Sequence, residues 1–478
     1  MKKNQQVTGH WSPVTGLLSL FFGLLSLVLG LWSSPLWAGG PIIVNDEGVA
    51  AVWDTSDSDP ITLHPESGSC ATFSNAETID LVESNISVWS DIAGASLSFA
   101  IDEGELGSVD EDNYNDFIVS SGSDSDLSDG INPVIFDDTG EIMVDTFGEC
   151  NQFLTLGFAG PDAFTGDNFE TIFGGYGIFN CLCLPGNPNG PCTITAGCAD
   201  DTGADPGDVV EFSEDDLDFT MTHEVGHMLN LDHSQVNADI IPDAGCDADV
   251  AGDCDDLPLE YPIAEDSADQ ISPTRDDEVA LLTLYGDSSL EDDFCTVTGS
   301  LTDTSGDPLR CADVQAETAD TADAIAMVSG AFAPAEDTDG DGYTDGDEEC
   351  LSDCGDFTLR GLDPAKTYTI TVKPIDSFFD GSSRVGPCAS GQLGGIDEEV
   401  IAAAVNCGAG ETEALGTIAT TSTGGVTEGG GGDGDDDDGT VSLGCNLAAK
   451  PLPSSSFVVG LIFLMGLFLT ARWQMLRS

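Results

Sequence analysis

The run His223-Glu224-Val225-Gly226-His227-Met228-Leu229-Asn230-Leu231-Asp232-His233 gathers three of the chain's five histidines around one carboxylate. Residues four apart share a helix face, so His223 and His227 can aim two imidazole nitrogens at one ion. Glu224 follows the first of them directly, which sets its carboxylate beside the open position of a zinc ion, where it can take a proton from water. His233 lies six residues past His227 and on a continuing helix would point about 120° away. The helix must therefore stop and the chain turn back. Asn230 stands at that turn, and Asn, after Gly, most readily adopts the left-handed conformation that ends a helix. Three histidine ligands with a base and a free fourth position are the donor set of a hydrolytic zinc site.

Such a site needs a helix to carry it and a sheet to support it. Residues 212–231 contain the helix; Ser213 precedes Glu214, Asp215 and Asp216, acids that favour a helix start, with Asp218 or Thr220 as alternative caps. Upstream, Ile79, Val82, Ile86 and Trp89 recur at helical spacing within residues 77–92. Residues 96–101, 116–119, 134–136, 156–161 and 172–180 read as strands between acidic and Ser/Gly-rich turns. The glycines at 174, 175 and 177 form no phosphate loop, since no Lys-Ser/Thr pair follows.

These residues resemble the metzincin metallopeptidases, and within them the matrixin-like group. His223, Glu224, His227 and His233 match the family pattern H-E-x-x-H-x-x-G-x-x-H, with Asn230 in place of its glycine and Ser234 following, as is common in matrixins. Ile271 to Val279 (ISPTRDDEV) and then Leu284-Tyr285-Gly286 resemble the matrixin closing helix. The resemblance implies an α+β catalytic domain with a mixed twisted sheet, an active-site helix and a closing helix, whose last strands hold an extended substrate. It also implies a methionine turn beneath the zinc, yet no Met occurs between His233 and Tyr285. The nearest counterpart of Met-Tyr-Pro is Glu260-Tyr261-Pro262, so either Leu259 supplies the apolar floor or the turn is built differently. Tyr261 is a candidate for stabilising the transition state. The family's Pro-Arg-Cys-Gly latency motif has no match between Gly39 and Glu77.

The 478 residues suffice for two or three domains with buried cores. With 87 Asp+Glu against 11 Lys+Arg, the formal charge of -76 repels nucleic acid and anionic membranes. Residues 1–38 carry Lys2 and Lys3, an apolar run from Leu17 to Trp32 and small residues ending at Ala38, the order of a secretory signal peptide. All fifteen cysteines follow that segment, in keeping with an oxidising compartment. Fourteen precede residue 410, enough for seven disulfides, with Cys246 and Cys254, and Cys350 and Cys354, as local staples; Cys445 stands apart. Cys181, Cys183, Cys192 and Cys198 are better read as disulfide partners than as a second metal site.

Residues 39–290 are expected to form the zinc peptidase domain. In 291–419 short strands such as 295–303, 355–364 and 368–372 resemble the carboxypeptidase regulatory-like β-sandwich, an all-β accessory domain. Within it, residues 337–348 fit a Ca²⁺ loop: Asp337, Asp339, Asp341, Asp345 and Glu348 supply hard oxygens, Tyr343 its carbonyl, and Gly342 the tight turn. The expected role of the calcium is structural. Residues 420–443 are a Gly/Asp-rich linker. Residues 444–478 place Cys445 before an apolar run, Phe457 to Leu469, with Arg472 and Arg477 beyond. That order resembles bacterial C-terminal sorting signals, in which such a cysteine is processed and lipidated; a plain tail anchor fits the same hydropathy. The expectation is an exported zinc endopeptidase, tethered to a membrane or cell surface, acting on protein or peptide substrates and binding no nucleic acid. The alternative is a surface adhesin that keeps a metzincin scaffold without catalysis.

Overall fold

A computed structural model of the chain describes residues 40–44, 49–55, 59–104, 106–118, 130–165, 171–190, 192–198, 206–234, 236–237, 254–262, 268, 270–330, 355–375, 395–423 and 445–448. The expected signal peptide, the calcium loop at 337–348, the linker and the apolar run at 457–469 lie outside these residues. Among the described residues no helix is long and apolar enough to cross a membrane.

The first half is built on a mixed sheet. Strands β1 (Val52–Trp53), β2 (Ile61–Pro65), β3 (Phe99–Ile101), β4 (Pro133–Asp137), β5 (Thr155–Thr165) and β6 (Thr171–Asn180) take the order β5-β6-β4-β2-β3, with β1 beside β6. All these pairings are parallel except β5 with β6. The antiparallel β5 would end the sheet, but β16 (Cys445–Ala448) pairs antiparallel with it, Cys445 opposite Ala159 and Leu447 opposite Gly157. A small ribbon, β7 (Cys192–Thr193) with β8 (Val209–Val210), follows β6.

Helix α1 (Asn75–Ser90) turns Ile79, Val82, Ile86 and Trp89 inward, the apolar positions predicted for it, and a capping box of Ser74 and Glu77 starts it. It packs with helix α3 (Glu214–Met228) against the sheet, around a core that includes Trp53, Leu63, Trp89, Phe179, Phe219 and Leu281. Helix α2 (Glu141–Phe147) covers Ile135, Phe158 and Ile178 with Ile142 and Met143. The strand expected at 116–119 is not formed where the chain is described. Tyr114–Asp116 is a 3₁₀ turn, because the Tyr114 hydroxyl donates to Asp145 at 2.9 Å and curls the chain against α2.

Helices α4 (Arg275–Tyr285) and α5 (Ser289–Asp293) lead into the second half. There β10 (Ala312–Glu317), β11 (Ile325–Val328), β13 (Tyr368–Pro374) and β14 (Glu399–Val405) form one sheet, while β9 (Cys295–Thr302), β12 (Asp356–Leu362) and β15 (Thr412–Ala419) form another. Val297, Phe357 and Leu359 from one sheet share a buried core with Val314, Ile370 and Val372 from the other. The expected two-layer β region is therefore present.

No clean break occurs at residue 290. Val279 and Leu282 of α4 belong to the β-region core, whereas Leu281 and Tyr285 belong to the first. Arg275 stacks on Phe294 and donates to the Gly361 carbonyl at 2.7 Å. Gly361 has φ +72°, and a side chain there would collide with Val279 at 2.3 Å, so α4 and β12 touch backbone to side chain.

Disulfides join Cys70 to Cys181, Cys150 to Cys198, Cys183 to Cys192 and Cys295 to Cys407. Cys254 and Cys311 are also disulfide-bonded. The cysteines at 181, 183, 192 and 198 thus staple the chain rather than bind a metal.

Candidate metal centre

Helix α3 starts where its sequence directs. The Ser213 hydroxyl accepts from the Asp216 amide at 3.0 Å and the Asp216 carboxylate accepts from the Ser213 amide, a reciprocal cap with three acids in the first turn. Neither Asp218 nor Thr220 is needed as a cap. The helix is held from both sides by indoles: Trp89 donates to the Thr222 carbonyl at 2.8 Å, and Trp53 to the Met228 carbonyl at 2.9 Å.

Its end is equally specified. Asn230 adopts φ +69°, and the Leu231 and Asn230 amides donate back to the Gly226 and His227 carbonyls, closing a Schellman turn. The fully buried Asn230 side chain also grips the N-terminal segment. Its Oδ1 accepts from the Ile43 amide at 2.7 Å, and its Nδ2 donates to the carbonyls of Ile43 at 2.9 Å and Ala51 at 2.8 Å. Glycine would give the turn without this grip.

The turn returns His233 to the other two histidines. One ligand atom from each of His223, His227 and His233 falls within 4.8 Å of the others, and His227 Nε2 lies 3.2 Å from His233 Nε2. Two nitrogens on one tetrahedral zinc, each at about 2.0–2.1 Å, would stand about 3.3 Å apart. The tautomers suit such a ligand set. His223 Nδ1 lies 2.8 Å from the Leu259 carbonyl and His227 Nδ1 lies 2.8 Å from the Leu231 carbonyl. A carbonyl only accepts, so both Nδ1 atoms carry the proton and both Nε2 lone pairs face the centre. Burial lowers the pKa of all three rings, that of His227 to about 4, which keeps them neutral as metal ligation requires. The residues present fit a zinc ion.

Beneath the histidines runs residues 257–262, held by α4. Asp277 accepts from the amides of Leu259 at 2.9 Å, Glu260 at 3.0 Å and Thr274 at 2.7 Å. Leu259 adds its carbonyl to His223 and its buried side chain to the core. The Glu260 side chain lies against the histidines, its Oε2 3.4 Å from His227 Nδ1 and 3.9 Å from His223 Nδ1. Burial first, then the neighbouring Asp277, Glu224 and Asp232, push the Glu260 pKa well up. Glu224 is fully buried in α3, and Tyr261 is buried in the floor beside Glu260.

Ser234 joins the third ligand to the rest of the chain. Its amide donates to the Glu260 carbonyl at 2.9 Å and its hydroxyl to Asp276 at 2.7 Å, while Asp276 also accepts from the Ala326 amide of β11 at 2.7 Å. The structure therefore brings together His223, His227 and His233, with Glu224 on the same helix and Tyr261 next to Glu260 in the buried floor. Cys445 is elsewhere, at the start of β16 against β5, and Asp337, Asp339, Asp341, Tyr343, Asp345 and Glu348 lie outside the described residues. Glu260, Asp276 and Asp277 were not singled out from sequence. The signal for Glu260 is its place directly before Tyr261-Pro262; the two aspartates follow Thr274 in a capping pattern.

No protein-family model matches the chain, and no curated protein matches its sequence.

Proposed function

We propose that this chain is an exported, surface-anchored, zinc-dependent endopeptidase of matrixin-like metzincin type that hydrolyses peptide bonds of extracellular proteins. The observation that carries the reading is the convergence of three neutral, buried histidines from a helix and its Schellman turn, with Glu224 adjacent to the first ligand. His223, His227 and His233 would hold the ion. Zinc, when bound, supplies Lewis acidity for the scissile carbonyl and makes water acidic enough to react near neutral pH. Glu224 takes a proton from the attacking water and delivers it to the leaving nitrogen as the carbon–nitrogen bond breaks. Asn230 and Asp277 hold the ligand helix and the floor in register, and Tyr261 is proposed to stabilise charge on the carbonyl oxygen.

The edge of β5 is the proposed seat for an extended substrate, which would add there as an antiparallel strand. Residues 445–448 pair with that edge, so a peptide would have to replace them. A structural calcium at 337–348, processing at Cys445 and surface tethering through 444–478 belong to the same proposal. A second reading, a non-catalytic surface adhesin, is favoured by one observation: His223, Glu224, His227 and His233 are each at most 1% exposed.

The two readings separate in one assay. Purified protein should cleave casein or gelatin, lose that activity to a zinc chelator and regain it on adding zinc. Glu224→Ala should abolish cleavage while zinc stays at about one ion per chain. Full activity in that variant would sink the mechanism, and an inert wild type that still binds zinc would favour the adhesin.

A further inference from the structure

Several buried carboxylates among the described residues are answered by hydrogen-bond donors. Glu66 accepts from Val109 and Phe136, Asp276 from Ser234 and Ala326, and Asp277 from three backbone amides. Neither carboxylate oxygen of Glu260 has a hydrogen-bond partner, though the residue is 1% exposed. A buried carboxylate with no donor is expensive and persists only where positive charge offsets it. The groups near it are the outer edges of His223 and His227, at 3.9 and 3.4 Å, so the positive charge that would offset it is that of an ion these neutral rings hold.

The placement is fixed by its surroundings. The Glu260 amide is held by Asp277 and its carbonyl receives the Ser234 amide, so the backbone is pinned on both sides of the side chain. Opposite, α3 offers Gly226, where a Cβ atom would lie 1.8 Å from Glu260 Oε1. The helix leaves a gap at the one position the carboxylate needs.

We infer that Glu260 is a positioning residue of the metal centre: its carboxylate lies behind two of the three ligand histidines and balances the charge of the ion they hold. With neutral histidines, an ion held there brings its positive charge into a dry site, and the Glu260 carboxylate lies directly behind the rings that would carry it. The Nδ1 protons of both rings go to the Leu259 and Leu231 carbonyls, so Glu260 acts on the rings through its charge; losing an outer carboxylate of a metal site costs about 10–100-fold in metal affinity. This inference rests on the zinc reading above.

The test uses the full chain and zinc alone. Glu260→Gln keeps the shape and removes the charge; Glu260→Met fills the space with an apolar side chain. Zinc affinity is measured by competition with a chromophoric chelator, ligand geometry by the visible spectrum of the Co²⁺-substituted protein, and the thermal midpoint on metal-free protein. The expected result is an affinity loss of about 10–100-fold in both variants, with an altered Co²⁺ spectrum and a metal-free midpoint that holds or rises in Glu260→Met. Affinities within about threefold of wild type in both variants would overturn the inference, as would a loss accompanied by lowered midpoints in both, which marks ordinary structural damage. If wild type itself binds no zinc, the metal-centre reading fails first and the variants are not needed to see it.

Discussion

Replacing Asn230 separates two jobs that one side chain performs. Asn230→Gly keeps access to φ +69° but deletes three hydrogen bonds, at 2.7, 2.8 and 2.9 Å, that tie Ile43 and Ala51 to the end of α3. At a net 0.5–1.5 kcal/mol each, they amount to about 1.5–4.5 kcal/mol, and the flexibility glycine adds to the unfolded chain contributes roughly another 0.5–1 kcal/mol. Asn230→Ala loses the same bonds and keeps a Cβ in the left-handed region without the polar side chain that lets Asn tolerate it, a cost of about 1–2 kcal/mol relative to Gly. The expected order is wild type, then Gly, then Ala, with Gly about 2–5 kcal/mol below wild type. Urea unfolding of metal-free, disulfide-intact protein measures this without a contribution from zinc binding. Amide exchange at Ile43 should quicken in both variants. An Asn230→Gly protein within about 0.5 kcal/mol of wild type would refute the grip, and an Ala variant more stable than the Gly one would refute the strain argument.

Stability should fall as the pH rises from about 4.5 to about 7. Burial lifts Glu66 from 4.5 to about 7, so its contribution is fully present below the unfolded value and lost as the pH passes the folded one, a change of up to about 3 kcal/mol. Thermal midpoints at constant ionic strength would show the slope, and Glu66→Gln should flatten it whatever its effect on absolute stability; an unchanged slope would remove Glu66 as the cause. Asp276, lifted to about 7 by burial, is ionised at pH 8 at a cost. Asp276→Asn can still accept from Ala326 and donate to Ser234, so it should hold or gain stability at pH 8, whereas Asp276→Ala should lose about 2–3 kcal/mol by leaving both donors unanswered. Urea midpoints of the three proteins check this; equal losses in Asn and Ala would argue against it.

The sequence was most readable where chemistry or local geometry dictates residue type. A helix that must present two ligands, stop and return a third leaves a fixed spacing, and His223, His227, Asn230 and His233 occupy it. Ser213 and Asp216, or Thr274 and Asp277, announce helix starts within a few residues of themselves. What stayed hidden depends on distant neighbours. Residues 116–119 read as a strand, yet Tyr114–Asp116 is a 3₁₀ turn with the Tyr114 hydroxyl on Asp145. Glu260 looks like a poor match to methionine until His223 and His227 lie within 4 Å of it. The order β5-β6-β4-β2-β3, and the sharing of α4 between two cores, follow from long-range pairing that no local pattern encodes.

That sharing has a consequence for how the protein is made. Asp277, which holds the floor, stands on a helix whose Val279 and Leu282 are buried in the core of the second half, and whose Arg275 is received by Gly361. The ribosome adds roughly 5–20 residues per second, so strands β9 to β14 follow α4 only over the next several seconds. A nascent chain carries all three histidines and Glu224 before it carries the strands that cover the other face of α4. Completion of the centre is thereby tied to completion of the chain, and a product cut short after α4 would have the ligands without a settled floor.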